Sequence, residues 1–199
     1  LPNDPGILLT QATALELGTH APEAELVLKK IERRWPEWSG AWAVHGVLLE
    51  THNRSAEARQ VLETALALGD RTAETYYYLA ESILESAPER IEDAKKAIGQ
   101  AVELAPGDPW VRTLAGRVAY EMKDYATASD QLREAIGIRP HLAQAHYFLS
   151  RVYGALGRKP EADAELAEVA RIRQQFPHAD EQAPEVLDKL FLVKAPPVR

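Results

Sequence analysis

Residues 109–142 read PWVRTLAGRVAYEMKDYATASDQLREAIGIRPHL, and they contain two short segments with apolar residues at three- and four-residue spacing. This spacing places the apolar side chains on one face of an α-helix, so it predicts two helices. The turn Met122-Lys123-Asp124-Tyr125 separates them, and Pro140 ends the second because proline has no backbone N–H to donate. The apolar stripes are too broad to be buried by one helix pair, so the pair needs neighbours. The stripe residues are Val111, Leu114, Ala115, Val118 and Ala119, then Ala128, Leu132, Ala135, Ile136 and Ile138.

The same pattern recurs five times along the chain. Each series of matching residues advances by 34 residues, apart from one step of 36 that reflects two extra residues near positions 85–90. Small residues at a fixed period are expected where helices cross closely, with larger neighbours filling the grooves. The first-helix series is Ala12, Gly46, Ala80, Gly116 and Ser150. The second-helix series are Ala24, Ala58, Ala94, Ala128 and Ala162; Leu28, Leu62, Ile98, Leu132 and Leu166; and Ile31, Ala65, Ala101, Ala135 and Val169.

Two repeats carry a recognisable signature, and three prolines close units in register. The chain therefore resembles the tetratricopeptide repeat family. The resemblance implies an all-α fold, a right-handed α-solenoid of five helix–turn–helix repeats, and a protein-binding role whose partner it does not identify. The signature residues are Trp42, Gly46, Ala58, Leu62 and Ala65 in the second repeat; His146, Leu149, Ser150, Tyr153, Gly157, Ala162 and Leu166 in the fifth; and the closing Pro36, Pro106 and Pro140.

The repeats are predicted at residues 5–38, 39–72, 73–108, 109–142 and 143–176, within a single domain of residues 1–199. Residues 177–199 depart from the repeat. Four apolar residues there predict a short capping helix that covers the end of the fifth repeat, followed by a tail. Pro2 lies 34 residues before Pro36, in register with the closing prolines. We therefore expect a segment of a longer protein, whose localisation cannot be read from this end. The capping residues are Val186, Leu187, Leu190 and Phe191.

Composition narrows the possible functions of the 199-residue chain. Its formal net charge of −7 argues against nucleic acid as a partner, because neutralising phosphates supplies much of that affinity. It has no cysteine, so it has no disulfide, thiol nucleophile or cysteine zinc site. The longest uncharged apolar run, near residues 38–49, is far shorter than the roughly 20 residues of a membrane span, so no membrane insertion is expected.

No combination of residues in the sequence is typical of an enzyme. The sequence has no glycine-rich phosphate loop, no Gly-x-Ser-x-Gly motif and no histidine pair at the four-residue spacing of a helical zinc site. His45 and His146 fall on the packed faces of their predicted helices, where a histidine is most often a hydrogen-bonded core residue. The sequence therefore predicts a protein that is not an enzyme and that uses no metal or cofactor.

The resemblance also predicts a binding surface, since the first helices of successive repeats line a concave groove in this family. Aromatic rings and arginines suit a peptide surface, because they offer rigid contact area and charge-assisted hydrogen bonds. In the alternative interpretation, Arg117 and Arg151 pair with Glu81 and Glu121 while the aromatic rings pack between helices. The nine predicted peptide-binding residues are Tyr77, Glu81, Trp110, Arg117, Tyr120, Gln144, Tyr147, Phe148 and Arg151.

Two classes of function remain open. The first is an interaction scaffold that binds an extended peptide or partner helix, with at least one acidic residue because Arg117 and Arg151 face the same groove. The second is a structural or assembly segment of a larger multidomain protein. Such a segment is expected to self-associate through its first repeat, where apolar residues such as Leu8 are predicted to be exposed.

One subfamily does not fit the sequence. Co-chaperone repeats that hold a C-terminal carboxylate use lysine and asparagine residues in their first two repeats. The corresponding places here carry Leu9, Thr13 and Val44, which cannot bind a carboxylate.

Overall fold

The computed structural model describes residues 4–17 and 20–177 of the chain. This described part holds ten α-helices and one short 3-10 turn at Pro88–Arg90, and it contains no β-strand. The predicted all-α class is therefore confirmed. The helices are α1 (Pro5–Leu17), α2 (Ala21–Arg34), α3 (Ser39–Thr51), α4 (Ser55–Ala67), α5 (Ala73–Ser86), α6 (Ile91–Leu104), α7 (Pro109–Glu121), α8 (Tyr125–Ile138), α9 (Ala143–Ala155) and α10 (Lys159–Gln175).

The chain divides into two compact units, with the boundary between Ala87 and Pro88, in the turn where the sequence has two extra residues. In the first unit, α1 packs on α2, α3 packs on α4, and both α3 and α4 contact α5. In the second unit, α7 packs on α8 and α9 packs on α10. Contacts of α6 with α7, α7 with α9, and α8 with α9 join these pairs. Each unit is a short stack of helix pairs, as a solenoid of repeats requires.

Burial confirms the predicted register. The five first helices begin at residues 5, 39, 73, 109 and 143, which are the predicted starts of the repeats. The small residues of the first-helix series and of the series that begins at Ala24 are all buried. Nearly all the apolar residues of the other two series and of the stripes in residues 109–142 are buried as well. Leu166 and Ile138 are exceptions, and each is 47% exposed. Ile138 is the last residue of α8, and no helix in the described part follows α10 to cover Leu166.

Two glycines explain why the first helices need small residues. A Cβ atom added to Gly116 would lie 2.6 Å from Cγ of Leu132, and one added to Gly46 would lie 2.6 Å from Cδ2 of Leu62. Carbon atoms of packed side chains are normally about 3.5–4.0 Å apart. The leucine of the second helix therefore occupies the space that a side chain on the first helix would need.

The turn inside a repeat uses the same backbone conformation in the second, fourth and fifth repeats. Asn53, Lys123 and Gly157 occupy the same repeat position and have φ angles of 58°, 62° and 72°. The N–H of each donates to the carbonyl three residues earlier, and the next N–H donates to the carbonyl five residues earlier. This is the Schellman pattern of a helix C-terminus, which glycine adopts most easily. Lys123 therefore carries a conformational cost that Gly157 avoids.

A repeated hydrogen bond ties each of the three closing prolines to the helix that follows it. A side-chain nitrogen six residues after the proline lies 2.9–3.1 Å from the proline carbonyl oxygen in each case. Three chemically different side chains make this contact, so the position requires an N–H donor and no particular residue. The pairs are Trp42 with Pro36, Arg112 with Pro106, and His146 with Pro140.

One prediction about the first repeat is wrong. Leu8 is only 5% exposed, because it lies one helical turn before Ala12 on the buried face of α1, whereas Ile7 beside it is 53% exposed. The predicted capping helix and tail lie outside the described residues from position 178 onward. The cap and the single-domain organisation therefore stay predictions.

Candidate functional site

Seven of the nine predicted peptide-binding residues lie in the second unit, on the first helices α7 and α9. These two helices contact each other directly. Arg117 and Arg151 are one repeat apart, so they occupy equivalent positions on the two helices. We name the seven residues the arginine–aromatic face; they are Trp110, Arg117, Tyr120, Gln144, Tyr147, Phe148 and Arg151.

Each arginine of this face lies over an aromatic ring on the other helix. The guanidinium carbon of Arg117, on α7, is 5.7 Å from the ring centre of Phe148, on α9. The guanidinium carbon of Arg151, on α9, is 4.7 Å from the ring centre of Tyr120, on α7. Both distances are within the range of a cation–π interaction, which contributes about 0.5–1 kcal/mol at an exposed site. The two contacts cross, so they link the helices in both directions.

The aromatic rings of the face differ in exposure. Phe148 is 7% exposed and forms part of the hydrophobic core, whereas Tyr147 is 39% exposed and meets the Phe148 ring edge-on at 5.3 Å. Trp110 and Tyr120 are partly buried against the same core. The alternative interpretation is therefore correct about the packing of these rings. Tyr147 is the most exposed of these four rings.

The electrostatic environment favours the charged form of Arg151. Desolvation acts to lower the pKa of this guanidinium, but the interactions with Tyr120, Tyr147 and Glu121 outweigh it, so the pKa is raised. One of these interactions is a hydrogen bond from Arg151 to Tyr120. The Tyr120 ring and its hydroxyl orient the guanidinium, and the Glu121 carboxylate adds a further attraction. The position of the Arg151 cation is therefore set by its neighbours.

The other two predicted residues, Tyr77 and Glu81, lie on α5 in the first unit. The Tyr77 ring is buried and meets the ring of Tyr78 edge-on at 5.0 Å. Glu81 is half-buried. Tyr77 is therefore a core residue of its unit. The binding role of Tyr77 and Glu81 stays a prediction.

Two contributors to this region were not predicted. The guanidinium of Arg139, which follows α8, is 5.4 Å from the ring centre of Trp110. The Tyr125 ring, at the start of α8, is 5.9 Å from that of Tyr120. Both residues flank a second helix, so the rule that first helices line the groove does not select them. A search for basic and aromatic residues in the adjoining turns finds both.

His45 and His146 are buried and hydrogen-bonded, as the sequence predicts. Nδ1 of His45 is 2.6 Å from Oε1 of Glu32. Nδ1 of His146 is 2.6 Å from Oε2 of Glu165, and its Nε2 is 3.1 Å from the carbonyl oxygen of Pro140. Each contact with a glutamate joins two helices, His45 on α3 to Glu32 on α2 and His146 on α9 to Glu165 on α10.

Other kinds of site receive no support within residues 4–17 and 20–177. This part contains no group of three or more His, Cys, Asp or Glu residues that could share a metal ion. None of its helices combines the length and the apolar character needed to cross a membrane. Leu9, Thr13 and Val44 are all buried.

Comparison with known proteins agrees with this description. Residues 119–181 match a family model described as Tetratricopeptide repeat, whereas the comparison with curated proteins found no match. The structure is similar to "MamA 41-end from Desulfovibrio magneticus RS-1", with a TM-score of 0.75 and 18% identity over 87% of this chain and 98% of that one. It is also similar to "YrrB: a TPR protein with an unusual peptide-binding site", with a TM-score of 0.72 and 20% identity over 86% of this chain and 88% of that one. At these identities the likeness concerns the fold, and it confirms the resemblance seen in the sequence.

Proposed function

We propose that this tetratricopeptide repeat protein is an interaction scaffold whose arginine–aromatic face binds an extended segment of a partner protein. One observation carries the proposal: Arg117 and Arg151 interleave with the rings of Phe148 and Tyr120 across α7 and α9. A face built only for packing has no need of two cations at its surface.

The ring contacts prepare the arginines for binding. An exposed arginine that grips a partner normally loses much of its side-chain freedom, and this loss weakens binding. A guanidinium that already lies over a ring has lost part of that freedom before the partner arrives. Its N–H groups can then donate to a carboxylate with less entropic cost.

The spacing of the helices defines the partner more closely. Packed helices lie about 8–10 Å apart, so we expect the Cα atoms of Arg117 and Arg151, at equivalent places on neighbouring helices, to be separated by roughly that distance. An extended chain advances about 3.3–3.6 Å per residue, so two or three residues cover the gap. We expect a partner segment with two acidic residues at this spacing and an apolar side chain that packs on Tyr147.

The comparisons support the same class of function. The YrrB structure has this fold and is described as that of a TPR protein with an unusual peptide-binding site. The alternative function, a self-associating spacer, loses one argument because Leu8 is buried.

The test measures binding of labelled ten-residue peptides by fluorescence polarisation. One peptide carries two glutamates three residues apart beside a leucine, and its partner peptide has glutamine at both places. We expect the glutamate peptide to bind more tightly, and more so at low salt. Changing Arg117 and Arg151 together to alanine should weaken its binding by on the order of 2–4 kcal/mol.

A matched control is available in the same unit. The guanidinium of Arg133, on α8, is 5.9 Å from the ring centre of Tyr153, and its Nη2 donates to the Tyr153 hydroxyl at 2.9 Å. Arg133→Ala removes a similar arginine–ring contact outside the arginine–aromatic face, so binding should stay unchanged. Equal affinities for the two peptides, or an equal loss in the Arg133→Ala variant, would place the binding site elsewhere.

A further inference from the structure

The first unit carries an unusual concentration of positive charge on α2. Residues 1–87 contain thirteen acidic and seven basic residues, yet four of the seven basic residues lie within positions 29–34. If the seven basic residues were placed at random in this segment, four of them would rarely fall within six positions. The four residues are Lys29, Lys30, Arg33 and Arg34.

These cations share one face of α2 with an exposed leucine. They follow Leu26 at spacings of three, four, seven and eight residues, which places all five side chains on the same side of a helix. All five are exposed, and Leu26 is 68% exposed. We name this set, Leu26 with the four cations, the basic face of α2. It is about 12 Å long, since eight residues of a helix rise about 1.5 Å each.

Two of the three acidic residues of α2 form ion pairs, and only one of these pairs involves a cation of the basic face. Glu25 forms ion pairs with Arg54, at 2.5 Å, and with Lys29, at 2.5 Å. Arg54 and Lys29 together hold the pKa of Glu25 down to about 2. Glu32 is buried and bonded to His45. The paired carboxylates of α2 therefore contact α3, the turn before α4 and Lys29, whereas Glu23, in the first turn of the helix, is exposed.

Three cations of the face consequently have no carboxylate partner in the part of the chain that the structure describes. Lys30 and Arg33 form no ion pair there, and Arg34 lies over the Trp35 ring at 5.2 Å. The other basic residues up to position 87, Arg54, Arg59 and Arg71, all bond to carboxylate or carbonyl oxygens. Within the described residues up to position 87, unpaired cations are thus confined to one face of one helix.

Helix stability explains only part of this arrangement. Arg33 and Arg34 lie in the last turn of α2, where cations interact favourably with the helix dipole. Lys29 and Lys30 lie a turn earlier, and each is four residues from an arginine. Like charges at this spacing destabilise a helix. Lys29 and Lys30 therefore add a repulsion between like charges, and the interaction with the helix dipole does not explain why they are there.

We propose that the basic face of α2 is a docking surface for an acidic segment of a protein partner. Its charge and length fit two turns of an acidic helix with carboxylates four residues apart and an apolar side chain against Leu26. The net negative charge of the first unit opposes nucleic acid and anionic lipid, which present many charges over a wide area. A single exposed leucine also gives too little apolar surface for a membrane-bound helix. A short acidic segment would contact only the basic face of α2 and not the negative charge around it.

The test uses the full chain carrying Arg117→Ala and Arg151→Ala, so that the arginine–aromatic face does not contribute. The probe is a labelled 16-residue helical peptide with glutamate at every fourth position and leucine one turn away. Lys30→Gln with Arg33→Gln should weaken its binding about tenfold, and Leu26→Gln should weaken it by a smaller factor. The matched control is Lys95→Gln with Lys96→Gln on α6, which removes the same charge from another exposed helix and should change affinity less than twofold.

Three results would overturn the proposal. The first is unchanged binding in the Lys30 and Arg33 variant, with the same circular dichroism as the parent chain. The second is an equal loss in the α6 control, which would indicate a general effect of net charge. The third is tighter binding of phosphatidylserine vesicles or a single-stranded DNA 20-mer than of the peptide, lost in the same variant.

Discussion

Replacing Gly116 by alanine tests the packing of the repeat most directly. In the interior of a helix such as α7, alanine is intrinsically favoured over glycine by about 1 kcal/mol. Here the added methyl group would lie 2.6 Å from Cγ and 2.9 Å from Cδ2 of Leu132, and the carbonyl oxygen of Ala128 is 3.3 Å away. Cγ is the branch point of a fully buried side chain, so it cannot simply swing aside.

The expected effect follows from these two opposing terms. Overpacking a core costs about 1–3 kcal/mol, and a contact with both a branch carbon and a backbone oxygen belongs in the upper part of that range. We therefore expect Gly116→Ala to lower the free energy of unfolding by about 1–2 kcal/mol, after the gain in helix propensity is included.

A second glycine of the same repeat supplies the control. Gly137 lies inside α8, and an added Cβ would have no neighbour within 4 Å. Gly137→Ala should therefore raise the free energy of unfolding by about 1 kcal/mol. The same chemical change, made in two helices of one repeat, should thus have opposite signs.

The assay is urea unfolding followed by circular dichroism, with hydrogen exchange of α7 and α8 amides as a local probe. Repeating Gly116→Ala in a Leu132→Ala background removes the clash, so the alanine should then be neutral or stabilising. If Gly116→Ala stabilises the chain as much as Gly137→Ala does, the close crossing of α7 and α8 is not what requires a small residue.

Further predictions concern single contacts, and each can be measured by urea unfolding. Lys123→Gly should raise the free energy of unfolding by about 0.5–1 kcal/mol because it relieves a left-handed backbone conformation; an unchanged value would mean that the turn tolerates lysine without cost. Arg54 and Lys29 lower the pKa of Glu25 from 4.5 to about 2, so this carboxylate stabilises the fold fully above about pH 4.5 and loses its contribution as the pH falls toward 2. Glu25→Gln should flatten the stability curve in that range, and a parallel curve would contradict the assignment. Trp42→Phe should cost about 0.5–1.5 kcal/mol through the lost bond to the Pro36 carbonyl, whereas no loss would show that water replaces the indole N–H.

The fold was largely predictable because close helix crossings impose a strict requirement on the sequence. Only short side chains fit where α3 meets α4 or α7 meets α8, so Gly46 and Gly116 recur at the repeat period and fix the register. The phase of a single helix is less certain from sequence. Ile7 and Leu8 are similar residues about 100° apart on α1, and hydropathy alone does not decide which of them is buried.

The candidate site was predictable in position and less so in detail. The repeat period places Arg117 and Arg151 at equivalent positions, and the structure confirms that their helices are neighbours. The rings beneath them depend on side-chain rotamers, which are set by packing with the next helix and carry no sequence signature.

The basic face of α2 is hard to predict from the sequence for a different reason. A run of charges on a helix is normally balanced by its neighbours. The partners that engage Glu25 and Glu32 are Arg54 and His45, which lie 29 and 13 residues further along the chain. The sequence by itself does not show that, in the described part of the chain, Lys29 is the only one of the four cations with a carboxylate partner.

The hydrogen bonds to the closing prolines have a consequence for how relatives of this chain can be recognised. Indole, guanidinium and imidazole groups occupy the same place at Trp42, Arg112 and His146. A profile that rewards a particular amino acid scores these repeats as unlike, although each keeps the same bond. This agrees with a family model that matches only residues 119–181 while the backbone superposes over 87% of the chain on a solved structure. A search for distant members should therefore test for a side-chain N–H donor six residues after a proline. It should not require an aromatic residue at that position.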